Sequence, residues 1–284
     1  MQVATTIAEI RARVGQARAA GKTVGFVPTM GALHAGHVSL IQAAAERCGF
    51  VVVSLFVNPT QFGPGEDFEK YPRPFDQDLA ICEEHGVDAV FAPSRTEMYP
   101  RDNLTWVTVE KVSKPLCGRS RPGHFRGVAT VCAKLFNVVG ADMAFFGQKD
   151  AQQVAVIQRM VADLNMPLEI VVCPTVREPD GLALSSRNQY LGPQERIDAT
   201  VIYRSLQRSA ELIRQGETDA ARIADQMRDV LRQAPALRVE YVNIVDAESL
   251  DDLRQVKGKV LVAVAGRLGS TRLIDNIVVD AATK

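Results

Sequence analysis

Two histidines separated by two residues offer this sequence its first chemistry. Pro28–Ile41 reads PTMGALHAGHVSLI, with His34 and His37 flanking Ala35 and Gly36, and the 284-residue chain holds only four histidines. Imidazoles can donate hydrogen bonds to phosphate oxygens and stabilise negative charge that builds in a transition state. A helix N-terminus adds free N–H groups and the favourable end of a dipole. Gly31 and Gly36 remove side chains where a backbone must approach a ligand. With a helix starting near Leu33, the two rings fall on one helical face. The bland alternative is a pair of helix-start histidines without a task.

Three further segments carry groups suited to chemistry. Phe56–Arg73, FVNPTQFGPGEDFEKYPR, contains Asn58 and Gln61, amides whose donors and acceptors suit a hydroxy acid; an ordinary Asn-Pro turn is the other reading. Phe145–Asp150, FFGQKD, offers Gly147 for close approach, Lys149 as a point charge for phosphate and Asp150 as an acceptor for ribose hydroxyls. Gln153 follows on nearly the same helical face. A charge pair on a solvated helix is the alternative there. Arg177–Leu191, REPDGLALSSRNQYL, supplies Ser185, Ser186 and the fork-shaped Arg187, a cradle for a triphosphate or else a polar linker. Arg121, His124 and Arg126 form a basic cluster to which no catalytic role is given. Asp76 and Asp78 could reach a magnesium ion or simply complement a helix dipole, and they stay unassigned.

The elements that must position these groups follow from apolar periodicity. Thr23–Thr29 and Phe50–Val57 are apolar on both faces, as strands inside a covered parallel sheet are. Further strands are expected at Ala89–Ala92 and Leu168–Cys173, with a β-rich segment at Leu104–Val109 and the apolar run Met143–Phe146 between them. Helices are expected at Val38–Cys48, Phe75–His85, Val128–Val139 and Ala151–Leu164. This alternation predicts an α/β fold, a Rossmann-like doubly wound parallel sheet. Beyond Val176, helices at Gln194–Gln215 and Asp219–Arg232 precede β-rich runs at Val239–Val245, Val260–Ala265 and Leu273–Val279. That order predicts a second, smaller α+β C-terminal domain. The expected division is 1–175 and 176–284, with a hinge in Pro174–Asn188.

Lys+Arg and Asp+Glu both number 33, a formal net charge of zero, which argues against a nucleic-acid partner. No apolar run approaches the roughly 20 residues that span a bilayer. The Arg- and Ala-rich start lacks the apolar core of a secretory signal, so a cytoplasmic address is expected. Five widely spaced cysteines without a CxxC pair predict free thiols rather than disulfides or structural zinc.

The context VPTMGALHAGHVSLI resembles the HxGH signature of the nucleotidylyltransferase superfamily and, within it, the pantothenate synthetase family. FVNPTQF, FFGQKDAQQ and the run Ala265–Asn276 extend the resemblance over nearly the whole chain, although Pro74 stands where the family pattern has threonine. The resemblance implies condensation of pantoate with β-alanine through a pantoyl-adenylate, with ATP as a substrate and Mg2+ accompanying it. It implies an ATP site built from Met30, Gly31, Ala32, Leu33, His34, Ala35, Gly36, His37, Gly147, Gln148, Lys149 and Asp150. Val176, Leu184, Ser185, Ser186 and Arg187 complete that site, Val176 through its backbone to adenine. Pantoate falls to Gln61 and Gln153, β-alanine to Gln61, and the chemistry to His37, His34, Lys149 and Arg187. A homodimer is implied in the same way.

Overall fold

The computed structural model describes residues 1–281. Along the chain run β1 (Gln2–Ala4), α1 (Ile7–Ala19), β2 (Val24–Thr29), α2 (Ala35–Arg47), β3 (Phe50–Leu55), α3 (Phe75–Glu84), β4 (Ala89–Phe91), α4 (Arg95–Met98), α5 (Cys117–Ser120) and α6 (His124–Val139). They are followed by β5 (Met143–Gly147), α7 (Ala151–Asp163), β6 (Glu169–Cys173), α8 (Pro193–Asp198), α9 (Thr200–Arg214), α10 (Ala220–Leu231), β7 (Arg238–Asp246), β8 (Gly258–Leu268) and β9 (Thr271–Ala281). The residues form two compact units. One contains 1–113, 121–148 and 153–174; the other contains 114–120, 149–152 and the chain from 175 onward.

In the first unit six strands lie in the order β1-β4-β3-β2-β5-β6, with every neighbouring pair parallel. Consecutive strand residues point to opposite faces, and β2 shows why both of its faces are apolar. Val27 joins Leu40, Ile41 and Ala44 of α2 in one buried cluster. Phe26, the next residue back, meets the ring of Phe136 in α6 edge-on at 6.4 Å. The chain leaves β2 towards β3 and β4 on one side, then returns to β5 and β6 on the other. The strand order therefore reverses between β2 and β5, and ligands of such sheets bind beyond the strand C-termini at that point. The residues leaving those two ends are Met30–His34 and Gln148–Asp150.

Three expectations about local structure need correction. Leu104–Val109 is not a strand: Leu104 is 92% exposed, and the Val107 N–H bonds to the Thr130 hydroxyl rather than to a neighbouring strand. The first two elements, β1 and α1, lie where the apolar pattern predicts none. A capping box of Thr6 and Glu9 starts α1, and only Ile10, Val14 and Ala17 of it are buried. The stretch expected as one helix at Gln194–Gln215 is divided at Ala199 into α8 and α9.

In the second unit β7, β8 and β9 form an antiparallel sheet in that order. Ile202 and Leu206 of α9, with Ile223 and Met227 of α10, pack against Val260, Val262 and Val264 of β8 in one core cluster. Asp219 caps α10 by accepting from the Ala221 and Arg222 N–H groups. All five cysteines are free. Among the described residues no helix is long and apolar enough to cross a membrane.

Candidate active site

The histidine turn is held from below by hydroxyls and a carboxylate. The Thr29 hydroxyl donates to the Ser54 carbonyl at 2.7 Å and accepts from the Gly31 N–H at 3.0 Å. Gly31 and Ala32 then take positive φ values of 78° and 52°. Their path is held by Asp78 of α3, which accepts from the Ala32 N–H at 2.9 Å and the Leu33 N–H at 2.7 Å. Burial pushes the Asp78 carboxyl up; the Leu33 and Ala32 N–H groups oppose this, and the net shift is upward. Asp78, which the sequence leaves between magnesium and the helix dipole, commits both oxygens to this turn.

The helix starts at Ala35, not near Leu33, and His34 is its extended N-cap with φ −145° and ψ 176°. The histidines thus meet through capping rather than by sharing a helical face. His34 Nδ1 accepts from the Gly36 N–H at 3.1 Å, His37 Nδ1 accepts from the His34 N–H at 3.3 Å, and the ring centroids lie 4.2 Å apart. An Nδ1 that accepts leaves the proton of the neutral ring on Nε2. Each imidazole is therefore set as an Nε2–H donor. The backbone N–H groups of Gly31, Ala32, Leu33, Gly36 and His37 are already bonded within the fold. These five N–H groups are thus committed to the turn itself, not left open as the free helix end expected from the sequence.

The amide pair is equally well defined. After β3, a 3-10 turn at Pro59–Gln61 buries Gln61. Asn58 Nδ2 donates to Gln61 Oε1 at 3.0 Å and to the Gly127 carbonyl at 3.3 Å. Asn58 Oδ1 accepts from the Tyr99 hydroxyl and from the Thr60 hydroxyl, each at 3.0 Å. With Gln61 Oε1 accepting, its Nε2 is the donor end, and it reaches the Met30 sulfur at 3.1 Å. The helix α6 approaches so closely that a Cβ on Gly127 would stand 2.3 Å from the Thr60 carbonyl oxygen.

The cluster of Arg121, His124 and Arg126 is a support for this turn and a stacking contact. His124 Nδ1 donates to the Gln61 carbonyl at 2.8 Å, and Arg121 Nη1 lies 3.0 Å from His124 Nε2. Arg121 forks the Glu66 carboxylate at 2.7 and 2.6 Å. Burial would raise Glu66, but the bonds and charge of Arg121, the Gly63 N–H and His124 together bring it down to about 2. Arg126 lies over the Trp106 ring, 4.5 Å from its centroid. Gln148 and Gln153 are half-buried in this unit, Gln153 in the first turn of α7.

The second unit carries the other expected phosphate groups. Lys149 Nζ lies 3.8 Å from Asp150, and the Lys149 carbonyl accepts from Asn276 Nδ2 at 2.8 Å. The Val176 carbonyl accepts from the Leu184 N–H at 3.0 Å, closing a small hairpin through the Arg177–Ala183 bridge. The Ser185 hydroxyl caps the following 3-10 turn by accepting from the Arg187 N–H at 3.3 Å. Ser185, Ser186 and Arg187 are half-buried.

The pantoate-beta-alanine ligase family matches residues 2–278 of this sequence. The chain belongs to that family. A pantothenate synthetase of Pelotomaculum thermopropionicum is 54% identical over 278 residues, 98% of this chain and 99% of its own length. That of Acetivibrio thermocellus is 52% identical over 280 residues, 99% of this chain and 100% of its own. A crystal structure of pantothenate synthetase from Thermus thermophilus superposes with a TM-score of 0.93 at 47% identity, covering 98% of this chain and 99% of that one. The pantoate-beta-alanine ligase of Francisella tularensis, complexed with beta-gamma ATP and beta-alanine, superposes with a TM-score of 0.79 at 34% identity over 98% of this chain and 97% of that one.

In this member of the ligase family, no group of three or more His, Cys, Asp or Glu residues among the described residues could hold a metal ion. A protein-built magnesium cage does not fit those donors. Sequence reasoning also passes over residues that hold the site. Asp78 gives only a helix-start signal, and Arg121 looks like solvated charge. Asp275 and Asn276 do leave a mark: a polar pair inside the apolar run LIDNIVV.

Proposed function

We propose that this chain catalyses the ATP-dependent condensation of pantoate with β-alanine to pantothenate, releasing AMP and pyrophosphate. The observation that carries this reading is the family match over residues 2–278, joined to a site that pairs two Nε2–H imidazole donors with an oriented amide. The chemistry calls for both. A carboxylate is a poor acyl donor, because its charge repels nucleophiles and its leaving group would be oxide. Transfer of AMP to pantoate makes a mixed anhydride, and the neutral amine of β-alanine then attacks the acyl carbon and expels AMP.

In this reading His34 and His37 donate from Nε2 to phosphate oxygens as negative charge builds and pyrophosphate departs. Met30, Gly31, Ala32, Leu33, Ala35 and Gly36 shape the ATP loop around them. Gly147, Gln148, Lys149 and Asp150 form a second ATP segment, with Lys149 as its phosphate cation. Leu184, Ser185, Ser186 and Arg187 form the third, with Val176 at the adenine. Gln61 and Gln153 hold pantoate; the Asn58 bond leaves Gln61 Nε2 as the donor for a hydroxyl or carboxylate oxygen, and the same residue then receives β-alanine. Holding the reactants in line is the larger part of such a step. Magnesium travels with the ATP phosphates, whose oxygens suit a hard cation. A cytoplasmic address and a homodimer are further readings, supported by the resemblance alone.

ATP–pyrophosphate exchange tests the function. Exchange is expected only when pantoate is present. Exchange that ignores pantoate, or that responds instead to a phosphorylated acceptor, would assign the chain to another nucleotidylyl transfer.

A further inference from the structure

Asp275 and Asn276 are adjacent on β9, point to opposite faces, and are both buried, at 4% and 5% exposure. Sinking a carboxylate and an amide into a small apolar unit is costly unless every polar atom is matched, and matched buried ion pairs are often no more stable than apolar residues of the same size. Stability is therefore a poor reason for the pair, and what they hold is a better one. Asp275 is forked by Arg177 at 2.6 and 3.0 Å and accepts its neighbour's N–H at 2.8 Å. Arg177 also donates to the Gly181 carbonyl at 3.1 Å and lies over the Tyr203 ring, 4.0 Å from its centroid. It stands at the base of the hairpin that leads to Ser185–Arg187. Asn276 Nδ2 donates to the main-chain carbonyl of Lys149 at 2.8 Å. Lys149 and the hairpin are distant in sequence, yet both are tied to two successive residues of one strand.

We propose that Asn276 and Asp275 are positioning residues for adenylate formation, Asn276 fixing the main chain that carries Lys149 and Asp275 fixing Arg177 and the hairpin behind Ser185–Arg187. The inference rests on Lys149 acting as a phosphate cation. A carbonyl held by a buried amide cannot drift with its loop, so the Lys149 stem starts from one place.

Steady-state kinetics and ATP–pyrophosphate exchange of Asn276→Asp, Asn276→Ala, Lys149→Ala and the Asn276→Ala/Lys149→Ala double variant test it. Asn276→Asp keeps the shape of the side chain and removes the donor. Both single Asn276 variants are expected to lower exchange by roughly ten- to a hundred-fold and to raise the KM for ATP, with the KM for β-alanine unchanged. The double variant is expected to be no slower than Lys149→Ala, because the tether matters only through the lysine. Normal exchange in folded Asn276→Asp, or losses that multiply in the double variant, would overturn the proposal. Normal exchange in Lys149→Ala would overturn the role of Lys149 itself, and the positioning claim with it.

Discussion

The Asp78 carboxylate stands 2.7 Å from the main-chain nitrogen of Leu33, so the first turn of α3 holds the loop that precedes α2. The second Asp78 oxygen accepts from Ala32, and Gly31 is tied to Thr29. The histidine turn is thus preorganised by contacts made before any ligand arrives.

Asp78→Ala strands two N–H groups that the carboxylate now satisfies. At about 1–3 kcal/mol for each unmatched buried donor, the variant should lose roughly 2–6 kcal/mol of stability in urea unfolding, and the KM for ATP should rise. An unchanged urea midpoint would show that the turn stands without Asp78.

Gly127→Ala should act on the amide pair without touching it chemically. The added carbon would meet the Thr60 carbonyl oxygen at 2.3 Å and Gln61 Cα at 2.8 Å, and neither backbone can yield without moving the turn. Overpacking of this kind costs about 1–3 kcal/mol. The KM for pantoate should rise more than the KM for ATP. Equal effects on both substrates would separate Gln61 from pantoate recognition.

The first unit is legible in the sequence because strands covered on both sides read as unbroken apolar runs, as at Val24–Val27 and Val51–Val53. Brändén's rule then places the loops that leave β2 and β5 at the ligand edge. What stays hidden depends on contacts across long stretches of chain. No local signal says that Asp78 serves Leu33, or that Arg121 and Glu66 brace Gln61. The three residues of β1 are too few for a pattern, and α1 buries so narrow a stripe that its Arg- and Ala-rich sequence looks featureless. Leu104–Val109 misleads because its β-forming residues have no strand beside them to pair with. His34 misleads because histidine is seldom thought of as a helix cap.

The Glu66–Arg121 pair predicts a pH dependence. Glu66 lies at about 2 in the fold, below its ordinary value of 4.5, so the folded state favours the ionised form. The pair's contribution is complete above about 4.5 and disappears as the pH falls from there towards 2. Glu66→Gln should therefore have a shallower fall in melting temperature than the parent across that window. Parallel curves would remove the pair from the acid response.

His34→Asn separates capping from chemistry. His34 caps α2 with Nδ1, and an Asn oxygen can accept the same Gly36 N–H from a backbone already in the extended conformation of a cap. Asparagine is among the best capping residues, so stability should hold within about 0.5 kcal/mol. The shorter side chain has no group at the place of Nε2, so the donor that the proposed mechanism assigns to His34 is lost. Turnover should fall on the order of a hundredfold, the scale of one removed transition-state donor, while the melting temperature stays put. A fully active His34→Asn variant would reduce His34 to a helix cap and leave His37 to carry the charge alone.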